Sequence, residues 1–196
     1  MRSDLSLQNI DNIIKEEIKE NIETAKSIYE LIPKIKKVVE NLINSLNQNK
    51  KIMICGNGGS SSDSQHFSSE LIGRFEKKRK SLAAISLSTD TAAITSIAND
   101  FKFEDIFSRQ IEGIGNSGDT LIAISTSGRS KNILKAIRKA KDKDISTVGL
   151  LGNGGGEAIK EVDFAICINS HRTARIQEMH ALVIHIICGL VERELT

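Results

Sequence analysis

Cysteine, proline and net charge are all scarce in this sequence, and each shortage closes off a class of explanation. The three cysteines stand at positions 55, 167 and 188 of 196 residues. That scatter makes neither a disulfide framework nor a CxxC metal site. Their apolar surroundings place Cys55 and Cys167 in strands and Cys188 in a helix, as small core residues. Lysine plus arginine number 27 against 25 acidic residues, a net charge of +2, so there is no electrostatic footprint for nucleic acid. No uncharged apolar run reaches the ~18 residues of a membrane helix, and the N-terminal stretch reads as a polar helix without a signal-peptide core. The expectation is a cytoplasmic chain with neither a nucleic acid nor a membrane as partner. At this length it is one domain with room for a substantial core.

The only proline, Pro33, punctuates the first long pattern. Apolar residues recur at spacings of three and four from Leu5 to Leu46, including Ile10, Ile14, Ile18, Ile22, Ile28, Ile35, Val39 and Leu42, which predicts amphipathic helix. Proline breaks or kinks a helix but suits the first turn of a new one, so the spacing predicts helices over 4–31 and 33–47. Residues 1–48 thus form a helical arm, able to pack on its own domain or on a second subunit, and 49–196 form the domain proper. Apolar strands follow at 51–55, 83–87, 120–124, 146–151 and 164–168. Helices are predicted between them, among them one capped by Thr89 or Asp90, one over 103–114, one over 131–143 and a short one over 157–161, and a last one runs over 173–194. This alternation predicts an α/β fold: a doubly wound, five-stranded parallel sheet with helices on both faces.

Two strand ends carry the chemistry. The first runs into Gly56-Asn57-Gly58-Gly59-Ser60, where glycines let the backbone turn tightly and approach a ligand. Ser60 to Asp63 offer N-cap side chains, and the first-turn N–H groups of the following helix would face an anion. One turn on, His66 and Glu70 lie four apart and share a helix face. The glycines fall short of the dinucleotide fingerprint, with Ser61 where a third glycine belongs, and no lysine sits where a nucleotide-triphosphate loop requires one. The third strand repeats the logic with Ser125-Thr126-Ser127-Gly128-Arg129-Ser130, a hydroxyl-rich turn suited to phosphate. Each piece also has a plain structural reading. Glycine turns are common in α/β proteins, His66 and Glu70 make an ordinary i,i+4 pair, and the second turn reads equally as a Ser/Thr-capped helix. The basic segment 76–80 reads as a solvated connection. Ligands of parallel sheets bind beyond the strands' carboxyl ends, so both turns can line one site.

The combination Cys55-Gly-Asn-Gly-Gly-Ser60, His66-Phe-x-x-Glu70-Leu-x-Gly-Arg74, Asn99-Asp-Phe101, Ile106-Phe-Ser-Arg109, Ile124-Ser-Thr-Ser-Gly128 with Ser130, and Arg175-Ile-Gln-Glu-x-His180 with His185 resembles the phosphoheptose isomerase family of sugar isomerase (SIS) domains over nearly the whole chain. The resemblance implies aldose–ketose isomerisation of sedoheptulose 7-phosphate, for heptose units of bacterial surface polysaccharides. It implies Glu70 and His185 as the acid/base pair. Gly58, Gly59, Ser60, Ser125, Thr126, Ser127 and Ser130 would surround the phosphate, with Asn57, Asn99, Asp100 and Gln177 on sugar hydroxyls beside Glu70. It further implies one zinc ion per subunit on His66, Glu70, Gln177 and His185, and a homotetramer. Close relatives that bind the replication initiator protein without isomerase activity give the alternative; they lack the carboxylate and imidazole that stand here at 70 and 185. Gln177 and His185 are eight residues apart, ~12 Å of rise on a straight helix. To reach one ion they need either a break in the last helix or arrival from different subunits.

Overall fold

The computed structural model describes residues 7–196. Helix α1 (Leu7–Ser27) and helix α2 (Ile32–Asn47) are joined by a 3-10 turn, Ile28–Leu31. Residues 4–6 of the first expected helix lie outside the described residues. Pro33 occupies the first turn of α2, where its missing N–H has no intrahelical partner to lose. The break between the two α-helices falls in the 3-10 turn just before it.

The strands are β1 (Ile52–Gly56), β2 (Ala84–Ser86), β3 (Thr120–Ser125), β4 (Ser146–Gly152) and β5 (Phe164–Ile168). All pair in parallel, in the order β2-β1-β3-β4-β5. The connecting helices are α3 (Gly59–Ile72), α4 (Thr91–Asp100), α5 (Ser108–Ile114), α6 (Lys131–Asp142) and α7 (Ala158–Glu161), and α8 (Thr173–Glu194) closes the chain. The helix expected over 103–114 divides into a 3-10 turn, Phe103–Asp105, and α5. Of the two candidate caps for α4, Asp90 accepts the Ala93 N–H at 2.9 Å.

Alternation along the strands builds two cores, because successive side chains point to opposite faces. Ile52, Ile54, Ile122, Ile124, Val148 and Leu150 meet α2, α3 and α8 on one face. Met53, Cys55, Leu121 and Ala123 meet α5, α6 and the segment around Phe107 on the other. α8 is long and apolar enough to cross a membrane by length and composition, but 56% of its most apolar stretch is buried inside the fold. Its buried side chains pack on the sheet and against α2 and α3. Cys55 and Cys188 are buried and Cys167 is half-buried, and none is in a disulfide. Burial pushes the Cys188 thiol up to about 12, so at neutral pH it is a plain thiol.

Candidate active site

From β1 the chain moves to β2 on one side of the sheet, and from β3 it moves to β4 and β5 on the other. The strand order therefore reverses between β1 and β3, which is where open parallel sheets bind ligands. Gly56 pairs with Ile124, so the two glycine/serine turns emerge side by side. They are tied by a reciprocal amide pair: Asn57 Nδ2 donates to Asn132 Oδ1 at 2.9 Å, and Asn132 Nδ2 donates back to Asn57 Oδ1 at 2.8 Å.

The first turn differs in detail from expectation. No side chain caps α3; Gly58, at φ +56°, precedes its first residue. A left-handed backbone of this kind favours glycine. The Ser60 N–H donates to the Asn57 carbonyl, and the Ser61 and Ser62 N–H groups to the Gly58 carbonyl. These three donors are occupied within the turn, so an anion here would meet hydroxyls and the N–H groups of other residues. In the second turn the Ser125 hydroxyl accepts the Gly128 N–H at 3.0 Å and the Ser127 hydroxyl accepts the Arg129 N–H at 3.3 Å. Both keep their O–H protons to donate. Ser130 precedes α6 without a capping bond from its side chain, so the simple reading of that serine as a helix cap does not hold.

Beyond the turns, α3 and α8 pack side by side and bring together three side chains. His66 Nε2 lies 3.1 Å from Glu70 Oε1, and His185 Nε2 lies 3.2 Å from His66 Nε2. The two imidazoles meet edge to face, with centroids 4.9 Å apart. One nitrogen or oxygen from each of His66, Glu70 and His185 falls within 4.8 Å of the others. The i,i+4 spacing on α3 supplied two of these groups, and α8 supplies the third from 115 residues further along the chain.

The description "SIS domain" matches residues 14–152. The chain belongs to the SIS domain family. It is 51% identical over 185 residues to a phosphoheptose isomerase of Helicobacter pylori strain P12, covering 94% of this chain and 96% of that one. A phosphoheptose isomerase of Campylobacter jejuni is 48% identical over 181 residues, covering 92% and 97%. The solved phosphoheptose isomerase of Neisseria gonorrhoeae superposes with a TM-score of 0.90 at 35% identity, covering 94% of this chain and 99% of that one.

The remaining expected residues of this SIS domain are distributed unevenly. Gln177 lies against the first turn, where a Cβ added to Gly59 would sit 2.2 Å from its Nε2. α8 is one continuous helix over Thr173–Glu194, which removes a break as a way of bringing Gln177 to His185. Asn99 donates to Asp100 at 2.8 Å, and both sit at the exposed end of α4, a helix without a buried residue. Within one chain they bond to each other and not to the turns. Ser60 and Ser125 are buried at the turns, and Thr126, Ser127 and Ser130 are half-buried beside them.

The sequence offered Asp63 only as an N-cap candidate, and it gave no role to Asn132 or to Arg79 by itself. Asp63 lies one turn before His66 on α3; burial pushes its carboxyl up against the opposing influence of His66, and its Oδ2 is buried without a partner. Its i,i+3 spacing from His66 was the available signal. Asn132 gave no local signal, since its partner Asn57 is 75 residues away. The segment 76–80 is not simply a solvated connection: the Arg79 side chain is only 4% exposed and pairs with Glu192 at 3.0 Å.

Proposed function

We propose that this SIS domain interconverts sedoheptulose 7-phosphate and D-glycero-D-manno-heptose 7-phosphate in the supply of heptose for bacterial surface polysaccharides. The observation that carries the reading is the meeting of His66, Glu70 and His185 beside a pair of hydroxyl-rich turns at the sheet's switch point. High identity to phosphoheptose isomerases over nearly the full length of both chains supports it.

In this reading the serine hydroxyls of 60 and 125–130 hold the phosphate, and the amides of Asn57 and Gln177 orient the sugar. Isomerisation removes a proton from carbon next to the carbonyl and protonates the carbonyl oxygen, giving an enediol; return of the proton to the neighbouring carbon completes it. The Glu70 carboxylate takes the proton from C1 and returns it at C2. The His185 imidazole protonates O2 and receives the proton from O1. Base and acid thus sit within one small cluster.

The same cluster fits a zinc ion, because nitrogen and oxygen donors within 4.8 Å of one another suit metal–ligand bonds of ~2.0–2.2 Å. His66, Glu70 and His185 would hold it, with Gln177 of a second copy as the fourth ligand, since one continuous α8 keeps its own Gln177 about 12 Å of rise away. Bound zinc would supply Lewis acidity at the carbonyl oxygen.

In this reading the active sites lie at interfaces of a homotetramer in the cytoplasm. Support for assembly comes from exposed apolar residues along α1 (Ile10, Ile13, Ile14, Ile18). A groove of about 1130 Å³ also opens between α1, α2 and α8, lined by Ile22, Tyr29, Ile32, Leu182 and Leu190 among others. A role in binding the replication initiator is disfavoured, because that role needs neither Glu70 nor His185. Incubation of the pure protein with sedoheptulose 7-phosphate, followed by NMR with and without chelator, tests the reaction. Absence of heptose 7-phosphate under both conditions, from folded protein supplied with zinc, would refute it. Mixing inactive Gln177→Ala and His185→Ala chains after dissociation tests sharing: recovered activity in hybrids is expected, and hybrids that form yet stay inactive count against it.

A further inference from the structure

The His185 imidazole, which meets His66 at one edge, also packs against Phe75. Their ring centroids lie 5.7 Å apart at an interplanar angle of 33°. Phe75 lies in the connection after α3, yet several contacts hold it to α8. The ring runs along the α8 face that carries His185, Gly189 and Glu192, at spacings of four and three. A Cβ added to Gly189 would lie 3.2 Å from Phe75 Cε1, so the absence of a side chain at 189 is what admits the ring at this height. One turn further, the Glu192 carboxylate accepts the Phe75 N–H at 3.0 Å and the Glu76 and Lys77 N–H groups at 2.8 Å each.

Arg79 joins this loop to the other helix of the site. Its Nε donates to Glu192 Oε1 at 3.0 Å, Nη1 to the Leu71 carbonyl at 2.8 Å, and Nη2 to the carbonyl of Glu70 itself at 2.8 Å. The side chains of the pair are 4% and 2% exposed. One guanidinium therefore grips the carboxyl end of α3 at Glu70 and, through Glu192, the segment that presses Phe75 on His185. The pair holds the loop and the ends of both helices in one arrangement.

We infer that Phe75, held by the Arg79–Glu192 pair, is a positioning residue for catalysis: it fixes the His185 imidazole relative to Glu70. This rests on the proposed isomerase reading. It does not concern the phosphate or the sugar hydroxyls, so its loss acts on turnover and not on substrate binding.

The test uses substitutions that leave His185 and Glu70 in place. Gly189→Ala replaces a helix-interior glycine by a better helix former, so it folds, while its methyl group moves the Phe75 ring by a few tenths of an ångström. Because a misplacement of 1 Å costs about 100-fold, kcat is expected to fall roughly three- to tenfold, with KM within about twofold. Phe75→Leu is expected to show the same split, and so is Glu192→Gln, which does not touch the imidazole. A second readout is independent of turnover. The ring ¹H–¹³C NMR signal of His185 is expected to shift in Gly189→Ala and Glu192→Gln, while that of buried His180 stays. Folded Gly189→Ala and Phe75→Leu with wild-type kcat, or an unmoved His185 signal in both NMR variants, would overturn the inference. An inactive wild type would instead count against the isomerase reading, leaving the NMR shift to decide positioning.

Discussion

A single methyl group at Gly59 provides a sharp test of the site. The Cβ of alanine there would lie 2.2 Å from Gln177 Nε2 and 2.8 Å from its Cδ. Ordinary contact begins near 3.4 Å, so the amide has to retreat by about 1.2 Å. The three nearest atoms all belong to the end of this one flexible side chain. Gly59 has no positive φ and opens α3, so alanine fits the backbone and favours the helix by up to ~1 kcal/mol. The melting temperature should therefore hold or rise, while kcat/KM on sedoheptulose 7-phosphate falls by about 100-fold, the scale of a 1 Å misplacement. Gly113→Ala is the control, since a Cβ there meets nothing within 4 Å; inside α5 it should hold or raise the melting temperature and leave kcat/KM unchanged. A folded Gly59→Ala protein with wild-type kcat/KM would refute the assignment of Gln177 to substrate or metal.

Three further outcomes follow from the same geometry. Glu70→Gln and His185→Ala should each lower kcat by at least ~100-fold in folded protein, the scale of a lost acid or base; near-normal turnover by either would remove that residue from the proton transfers. Ser127→Ala combined with Ser130→Ala should raise KM more than it lowers kcat, because phosphate contacts act alike in ground and transition states; an unchanged KM would place the phosphate elsewhere. Stability should fall in acid. Removal from water opposes ionisation of Glu192, but the N–H groups of Lys77, Glu76 and Phe75 and the Arg79 charge hold its carboxyl down at about 2. A carboxyl lowered on folding stabilises fully above its ordinary value near 4.5 and loses that contribution as pH falls towards 2. Glu192→Gln should flatten the melting temperature over that window. Loss between about 6.5 and 4 belongs instead to His180, whose burial holds it neutral down to about 4.

Much of the fold could be read directly because its elements obey short periods. β5 and α8 have the bounds expected from composition and spacing, and β1, β3 and β4 extend one residue further into their turns. His66 and Glu70 were legible as a pair because four residues make one helical turn. The Phe75–Arg79–Glu192 device was not, since it joins a loop to a helix more than 110 residues later. A run of lysines around Arg79 hides one buried guanidinium among solvated neighbours. Glu192 left a trace: an acidic residue seven positions after His185, on a face otherwise made of Cys188 and Gly189. The reach of Gln177 was legible only as a distance problem, which the unbroken α8 restates without resolving it inside one chain.

α3 and α8 run in the same direction, with contacts at Gly59 and Gln177, at His66 and His185, and at Phe75 and Gly189. They form a graduated scale on which the Gly59–Gln177 contact and the His66–His185 contact are separate marks. The spacing between those marks is set by backbone rise, 1.5 Å per residue, and not by any side chain. Inserting one residue between 177 and 185 would turn the distal half of α8 by about 100° and carry His185 off the face it shares with His66. In the proposed shared-site assembly one α8 serves two sites, and the count of residues between Gln177 and His185 sets the distance between its two contributions.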